Sequence, residues 1–356
     1  MKSTSQILQL SRKNLGIKLK EAAALSGIDQ ALISKYEHGK RLPSDAHLKS
    51  FADAYNIDFS TLEELKLSDK IYEMLRYNQN ALEVLRLAES RIEYLVEETR
   101  FDVPKLDKEL TIQLDRIDAL QKQWQSVKPM AQLQLQKMKE YFKVKYTYDS
   151  NQIEGNTLTL QETHLVINEG LTIGGKSMRE HLEAINHADA VEFLAEVVSN
   201  EEHLNERLLL ELHSLILKGI DRKYAGSYRD VPVRISGSAH LPPEPYLLSK
   251  LMEDFFSHYR KTKRVLHPVI LAAEVHERLV SIHPFIDGNG RTARLLMNMV
   301  LLQNGYTITS LKGSNDARLK YYRALESVQV NNDSTPFFKL IADEVEVSLK
   351  EHLSFA

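Results

Sequence analysis

The segment HPFIDGNGRTAR, residues 283–294, places a histidine, a carboxylate, an asparagine, two glycines and two arginines in one short stretch. His283 can take up a proton near neutral pH and so serve as a general base. Arg291 and Arg294 lie three apart, on one face of any helix they occupy, and their guanidinium forks match phosphate oxygens. Gly288 and Gly290 flank Asn289 and let the main chain approach a ligand closely. Thr292 and Ala293 fall in the same turn. If that turn opens a helix, its first N–H groups are unpaired and lie at the positive end of the dipole, a seat for an anion. Asp287 would repel phosphates there unless a Mg²⁺ ion bridges the two. The composite points to nucleotide transfer assisted by a base. Two plainer readings stand beside it: a loop whose His, Asp and Asn merely cap helices, and a metal site on His283 and Asp287, for which no companion ligand cluster is evident. A P-loop is excluded, because G-x-x-x-x-G-K-[ST] is absent.

The elements around the segment decide how it is held. Asp-Gly and Asn-Gly pairs usually announce a hairpin between strands, but the flanks here have helical spacing. Upstream, Val269, Ala273, Val275 and Leu279 recur on one face; downstream, Leu295, Leu296, Met299 and Leu302 do the same. The segment therefore reads as a loop between two helices. A further helix from about Met130 ends at SNQIEGN, with Gly155 as its left-handed terminator, and Thr159 with Glu162 forms a capping box for the next one. One region reads as strand: in YRDVPVRISGSAHLPP, Val231, Val233 and Ile235 alternate with polar residues or Pro before Gly-Ser turns the chain. From about Leu67, Leu75, Leu82, Leu85, Ile92 and Leu95 are spaced 7, 3, 7 and 3, a heptad-like stripe expected on one long helix that stops before Pro104.

Composition narrows the class. The chain has 356 residues, 43% of them hydrophobic, enough for a real core and two or more domains. Its formal net charge of −3 gives no global cationic field for nucleic acid or membrane, so any basic partner site must be local. With no cysteine, disulfides, thiolate metal sites and a Cys nucleophile are excluded. The first residues lack a signal-peptide apolar region and no run approaches a spanning helix, so the expectation is a cytoplasmic protein without membrane contact.

Residues 283–294 match the Fic signature HPFx[D/E]GNGRxxR at every fixed position, and from roughly residue 110 to 350 the chain resembles the Fic domain family. That resemblance implies a mainly α fold with a short β-hairpin flap, and transfer of AMP from ATP, with Mg²⁺, to a Tyr, Thr or Ser hydroxyl of a target protein or of the chain itself. It makes His283 the base and Asp287 the Mg²⁺ ligand. Asn289 with the Gly288 and Gly290 backbone becomes the anion hole, and Arg291 and Arg294, across Thr292 and Ala293, grip the β- and γ-phosphates. Gly237, Ser238, Ala239 and His240 fall in the implied flap, which would pair with a target peptide. SNQIEGN is similar to the family's inhibitory motif, with Ser150, Glu154, Gly155 and Asn156 at its fixed positions; Glu154 would then occupy Arg294 and hold ATP unproductively. Arg318, Tyr321 and Tyr322 resemble the R-x-x-YY stretch, with Tyr321 near the adenine. Gln329 stands where relatives often carry Asn, with Asn331 and Asn332 close by.

Residues 8–60 resemble the Cro/repressor type of helix-turn-helix, carried by GIDQALISKYEHGKRLP, with Asp29 in place of the usual Ser. The spacing predicts helices from about Leu19 to Leu25 and from Gln30 to Glu37, N-capped by Asp29 and stopped at Gly39. On that resemblance Gln30, Ala31, Ser34 and Lys35 face DNA bases or phosphates, with Lys40 and Arg41 on the backbone. Residues 1–60 hold 9 Lys/Arg against 6 Asp/Glu, a mild excess. Such modules generally bind as dimers, and the heptad-like helix could support a homodimer. The expected organisation is a small all-α helix-turn-helix domain over 1–65, connecting helices over 66–110, and a Fic domain over 111–356 whose inhibitory helix ends near 155. Two rival readings are removal of AMP, using Glu154, and a DNA-binding transcriptional regulator whose Fic domain senses ATP.

Overall fold

A computed structural model describes residues 3–86, 88, 104–127, 131–235 and 237–355. The described residues fall into two compact units, 1–97 and 98–356.

The first unit is built from α1 (Thr4–Asn14), α2 (Leu19–Ser26), α3 (Gln30–Glu37), α4 (Asp45–Tyr55) and α5 (Phe59–Leu75). Asp29 caps α3 as expected, its Oδ1 accepting from the Ala31 and Leu32 N–H groups at 2.9 and 3.2 Å. Leu8, Ile28, Ile33, Leu48, Phe51 and Leu62 form its core. A bidentate pair from Arg12 to the buried Glu37, at 2.6 and 2.8 Å, ties α1 to α3. The single long helix expected from Leu67 through the heptad-like stripe is interrupted. α5 stops at Leu75, residues 76–80 are turn, and helix resumes over 81–86. Asn78 and Asn80 sit in that break, where Asn78 Oδ1 accepts from the Asn80 N–H at 2.8 Å and offers the backbone an alternative to the helix. Leu82 and Leu85 are exposed, and Ile92 and Leu95 lie outside the described residues.

The second unit contains α6 (Lys108–Val127), α7 (Gln132–Ile153), α8 (Leu160–Glu169), α9 (Met178–Ser199), α10 (Glu206–Ile216), α11 (Leu248–Thr262), α12 (Pro268–Ile282), α13 (Asn289–Gln303), α14 (Asn315–Asn331) and α15 (Thr335–Ser354). α13 is the axis. Leu295, Leu296, Met297, Met299, Val300 and Leu301 point around its whole circumference and all are buried, as a helix surrounded by neighbours requires. α12 packs along it, with α7, α9 and α10 on its other sides, while α6 and α15 pair beyond. Pro268 opens α12 at its first position, and the T-x-x-E capping box of α8 forms as the spacing predicts. Pro129 and residues 101–103 lie outside the described residues.

The β-hairpin expected around Val231, Val233 and Ile235 is not formed. No strand occurs among the described residues, and 231–235 run irregularly. Pro232, Pro242 and Pro243 cannot donate to a ladder. A buried side chain holds the segment instead: Arg229 donates to the carbonyls of Val231 at 3.1 Å, Pro243 at 2.5 Å and His283 at 2.8 Å.

Candidate nucleotide-transfer site

The loop between α12 and α13 is set by conformations at both ends. His283 terminates α12 in the left-handed region, φ 51°, and Gly288 opens α13 with φ 80°. A Cβ on Gly288 would also press on His213 and Ile216 at 3.3 Å, so glycine is needed there twice over. Asn289 closes the loop from within: its Oδ1 accepts from the Phe285 N–H at 3.0 Å and its Nδ2 donates to the Phe285 carbonyl at 2.9 Å. The Asn289 side chain is thereby spent on loop shape, and only its backbone N–H faces the helix end.

His213, unremarked in the sequence, is the loop's second support. Its ring stacks on Phe285, centroids 3.6 Å apart. Its Nδ1 accepts from the Gly226 N–H at 3.0 Å, which leaves the proton on Nε2 to donate to the Asp287 carbonyl at 2.9 Å. Burial pushes the His213 pKa down to about 4, so the ring stays neutral and that tautomer persists. A histidine on the apolar face of LLLELHSLI was its only sequence signal. Arg229, third of the supports, also donates its N–H to the Pro284 carbonyl at 2.9 Å.

His283 lies with Nδ1 3.3 Å from the Val280 carbonyl, an acceptor only, so Nδ1 carries the proton and Nε2 keeps a lone pair. Burial, then the charge of Arg229, pushes its pKa down to about 4 against the Val280 hydrogen bond, and the imidazole stands ready as a base at pH 7. α13 begins without any side-chain cap. Its first N–H groups, at Asn289, Gly290 and Arg291, therefore remain directed out of the helix end.

Glu154, the C-cap of α7, reaches this helix end. Its Oε1 accepts from Arg294 Nη2 at 2.6 Å, and a Cβ on Gly290 would collide with that same oxygen. Arg294 is fully buried and further fixed by Ser150, through Oγ at 3.0 Å and the carbonyl at 2.9 Å. Gly155 turns the chain at φ 96°, and Asn156 Nδ2 holds the Glu180 carbonyl and Glu183 Oε2, each at 3.0 Å. Arg294 Nη1 and the Nε and Nη1 of Arg291 are buried without a hydrogen bond, although Glu183 Oε1 stands 3.5 Å from Arg291 Nη1. Thr292 and Ala293 are buried in the core of α13.

Asp287 offers one partly exposed carboxylate, the oxygen donor a magnesium ion takes, and no group of three or more His, Cys, Asp or Glu that could hold a metal by itself occurs among the described residues. Burial pushes its carboxyl up, but Arg291, the Gly288 N–H and Arg179 outweigh this and hold it below the ordinary range.

The remaining expected residues separate. His240 Nε2 lies 2.8 Å from the Ser281 carbonyl, and Gly237, Ser238 and Ala239 form a tight bend beside it. Gln329 donates to Ser281 Oγ at 3.1 Å and, with His240, Glu277 and Asn332, lines a cavity of about 440 Å³ at the histidine end of α12. Tyr321 is buried behind Arg294's helix, its hydroxyl 3.2 Å from His276 Nε2, whereas Tyr322 donates to the Ile153 carbonyl at 3.1 Å and so grips the end of α7. A larger apolar cavity, about 770 Å³, adjoins Trp124, Met138 and Leu302 and contains none of these groups. In the first unit Gln30, Ala31, Lys35, Lys40 and Arg41 are exposed and Ser34 is half-buried.

Residues 203–301 match the Fic/DOC family and residues 8–62 a helix-turn-helix family. The chain is 37% identical over 225 residues to a protein adenylyltransferase Fic of Drosophila grimshawi, covering 63% of this chain and 45% of that one. It is 33% identical over 254 residues to the Nematostella vectensis protein of the same name, covering 71% and 57%. The chain thus spans about half the length of the curated relatives it matches. A Fic domain-containing signaling protein from Bacteroides thetaiotaomicron superposes with a TM-score of 0.61 at 29% identity, over 68% of this chain and 97% of that one. Fic-1 from C. elegans, at 24% identity and a TM-score of 0.63 over 94% and 96%, shares the fold. Among the described residues no helix is long and apolar enough to cross a membrane. Residues 203–301 of this chain, which hold the loop, its histidine and its two arginines, are a Fic/DOC-family domain, and residues 8–62 are a helix-turn-helix module.

Proposed function

We infer that the chain is a protein adenylyltransferase that moves AMP from ATP to a Tyr, Thr or Ser hydroxyl of a target protein or of itself, and that Glu154 restrains it. The hydroxyl oxygen attacks the α-phosphorus while His283 Nε2 takes its proton; the bond from phosphorus to the bridging oxygen breaks and pyrophosphate leaves. The free N–H groups opening α13 face the charge that develops on the phosphoryl oxygens. Arg291 and Arg294 take the outer phosphates, and Asp287 would hold the Mg²⁺ that neutralises them. The cavity lined by Gln329 and His240 is the place for the base. The observation that carries this reading is Glu154 itself: a carboxylate oxygen seated against Gly290 and on Arg294 supports a phosphate oxygen as the alternative occupant, which Glu154 would keep out.

With labelled ATP and Mg²⁺, Glu154→Gly should raise AMP incorporation about 10-fold or more, the weight of one charge-assisted bond. His283→Ala in that background should lower it about 100-fold or more. Mass spectrometry should find an AMP adduct on a hydroxyl residue; unchanged incorporation in both variants would exclude transfer.

One observation favours hydrolytic removal of AMP as a second activity: Glu154 is one-third exposed, so its carboxylate can also orient water beside the site. Release of AMP from an adenylylated substrate by the wild type, lost in Glu154→Gly, is the expected result; equal release by both proteins excludes it. The exposed Gln30, Lys35, Lys40 and Arg41 support binding of duplex DNA by the first unit. A mobility shift on the protein's own upstream DNA should weaken with salt and with Lys40→Ala, and equal affinity for random duplex would count against an operator.

A further inference from the structure

Both carboxylate oxygens of Asp287 are already engaged. Oδ1 accepts from the Gly288 N–H at 2.6 Å and from Arg291 Nη2 at 3.1 Å, and Oδ2 accepts from Arg179 Nη2 at 2.5 Å. Arg179 lies outside the signature loop, in the first turn of α9, 108 residues upstream of Asp287. Its Nε also donates to Glu183 Oε1 at 3.1 Å, and that oxygen stands 3.5 Å from Arg291 Nη1. Asp287, Arg179, Glu183 and Arg291 thus close a ring of alternating charge. The other Glu183 oxygen accepts from Asn156 Nδ2 at 3.0 Å, which joins the ring to the turn that carries Glu154.

The members of the ring differ in freedom. The Arg291 side chain is 2% exposed and that of Glu183 11%, whereas that of Arg179 is 59% exposed. A buried guanidinium cannot leave without stranding a charge, but an exposed one can swing into water, since exposed ion pairs are weak. Arg179 also satisfies the outer oxygen of Asp287 as a metal ion would, with a full positive charge at contact distance. Two cations on that oxygen repel at close range, so each weakens the hold of the other.

We propose that Arg179 is a built-in counter-cation that competes with a divalent metal ion for Asp287 Oδ2. The metal-nucleotide must displace this side chain to bind, and its departure frees Glu183, and through it the Asn156 end of the Glu154 turn. The proposal rests on the nucleotide-transfer reading, with Asp287 as metal ligand.

The test uses the full chain with a fluorescent N-methylanthraniloyl derivative of ATP at fixed concentration while Mn²⁺ is titrated, free Mn²⁺ being read by electron paramagnetic resonance. Arg179→Ala and Arg179→Gln should each lower the Mn²⁺ concentration at half-saturation about 2- to 5-fold, the weight of an exposed ion pair. Nucleotide affinity at saturating Mn²⁺ should stay unchanged, and Arg179→Lys, which keeps the charge, should stay near the wild type. An unchanged midpoint in both neutral variants overturns the proposal. So does weaker binding at every Mn²⁺ level, which would make Arg179 a phosphate contact. If the wild type and Glu154→Gly bind no nucleotide at any Mn²⁺ level, the transfer reading itself fails, a result distinct from intact binding with an unmoved midpoint.

Discussion

Arg294 and His283 lie in one signature loop and helix but are prepared in opposite ways. Arg294 is fully buried, keeps its charge, and is given to a carboxylate from another helix. His283 is held neutral, with its proton on the Val280 side and its lone pair on the other. A base that must be unprotonated loses activity as pH falls through its own pKa, so the acidic limb of kcat/KM should lie near pH 4 and not near the 6.5 of an ordinary histidine. Glu154 is the neighbouring charge that raises this pKa, so in Glu154→Gly the limb should sit at or below about 4, leaving kcat/KM flat from about pH 5 to 8. A limb centred near 6.5 would mean that the imidazole is not desolvated as the fold has it. At this scale the sequence was informative because types and spacing alone define the anion seat. It was silent on Arg229, His213 and Arg179, which lie 54 to 108 residues from the loop residues they hold and carry no local pattern, and on Glu183, which bonds Arg179 and Asn156.

Between the residues and the molecule stands α7, the element that delivers Glu154. Its end is held by three bonds to two helices, two to α9 and one from α14: Asn151 Nδ2 to the Glu183 carbonyl at 3.2 Å, Asn156 Nδ2 to the Glu180 carbonyl at 3.0 Å, and Tyr322 Oη to the Ile153 carbonyl at 3.1 Å. The Tyr322 bond is the outermost, on a half-exposed ring, and can be removed without opening a cavity. Tyr322→Phe should therefore loosen the turn and raise basal AMP incorporation about 3- to 10-fold, the weight of one neutral hydrogen bond, with little change in melting temperature. In a protein that already carries Glu154→Gly the same substitution should add nothing, and an additive increase would place Tyr322 in nucleotide binding instead. Helix ends were legible because caps and glycines are local signals: Asp29, Thr159 and Gly155 do what their types predict. The hairpin was not, because alternation in 231–235 says nothing about whether a neighbouring strand exists, and three prolines and Arg229 decide otherwise.

Over the whole molecule, the second unit encloses several neutral histidines, and their burial ties its stability to pH. Burial pushes His213 and His283 down to about 4 and lowers His187 and His276 well below their ordinary value. In the unfolded chain each takes a proton near 6.5, so the stability they confer is complete above that pH and is lost as pH falls from 6.5 toward 4. For a histidine displaced to about 4, the loss at pH 5 is about 2 kcal/mol. Three carboxyls act in the opposite sense, gaining a proton in the folded state first: Asp149, pushed up to about 6 by burial, and Glu277 and Glu344, also raised by burial; they offset only part of four imidazoles. The melting temperature should thus fall between pH 7 and pH 5, before the carboxylates that are held low begin to protonate. His213→Gln separates this from general acid sensitivity. Losing the stacked ring and the Gly226 bond should cost about 1–3 kcal/mol at pH 7, yet the further loss on going to pH 5 should shrink by about 2 kcal/mol, because the variant has no imidazole to protonate when it unfolds. Urea melts at the two pH values measure both quantities. An unchanged pH dependence in His213→Gln would show that this ring titrates alike in the folded and unfolded chain, and that the loop above it rests on packing alone.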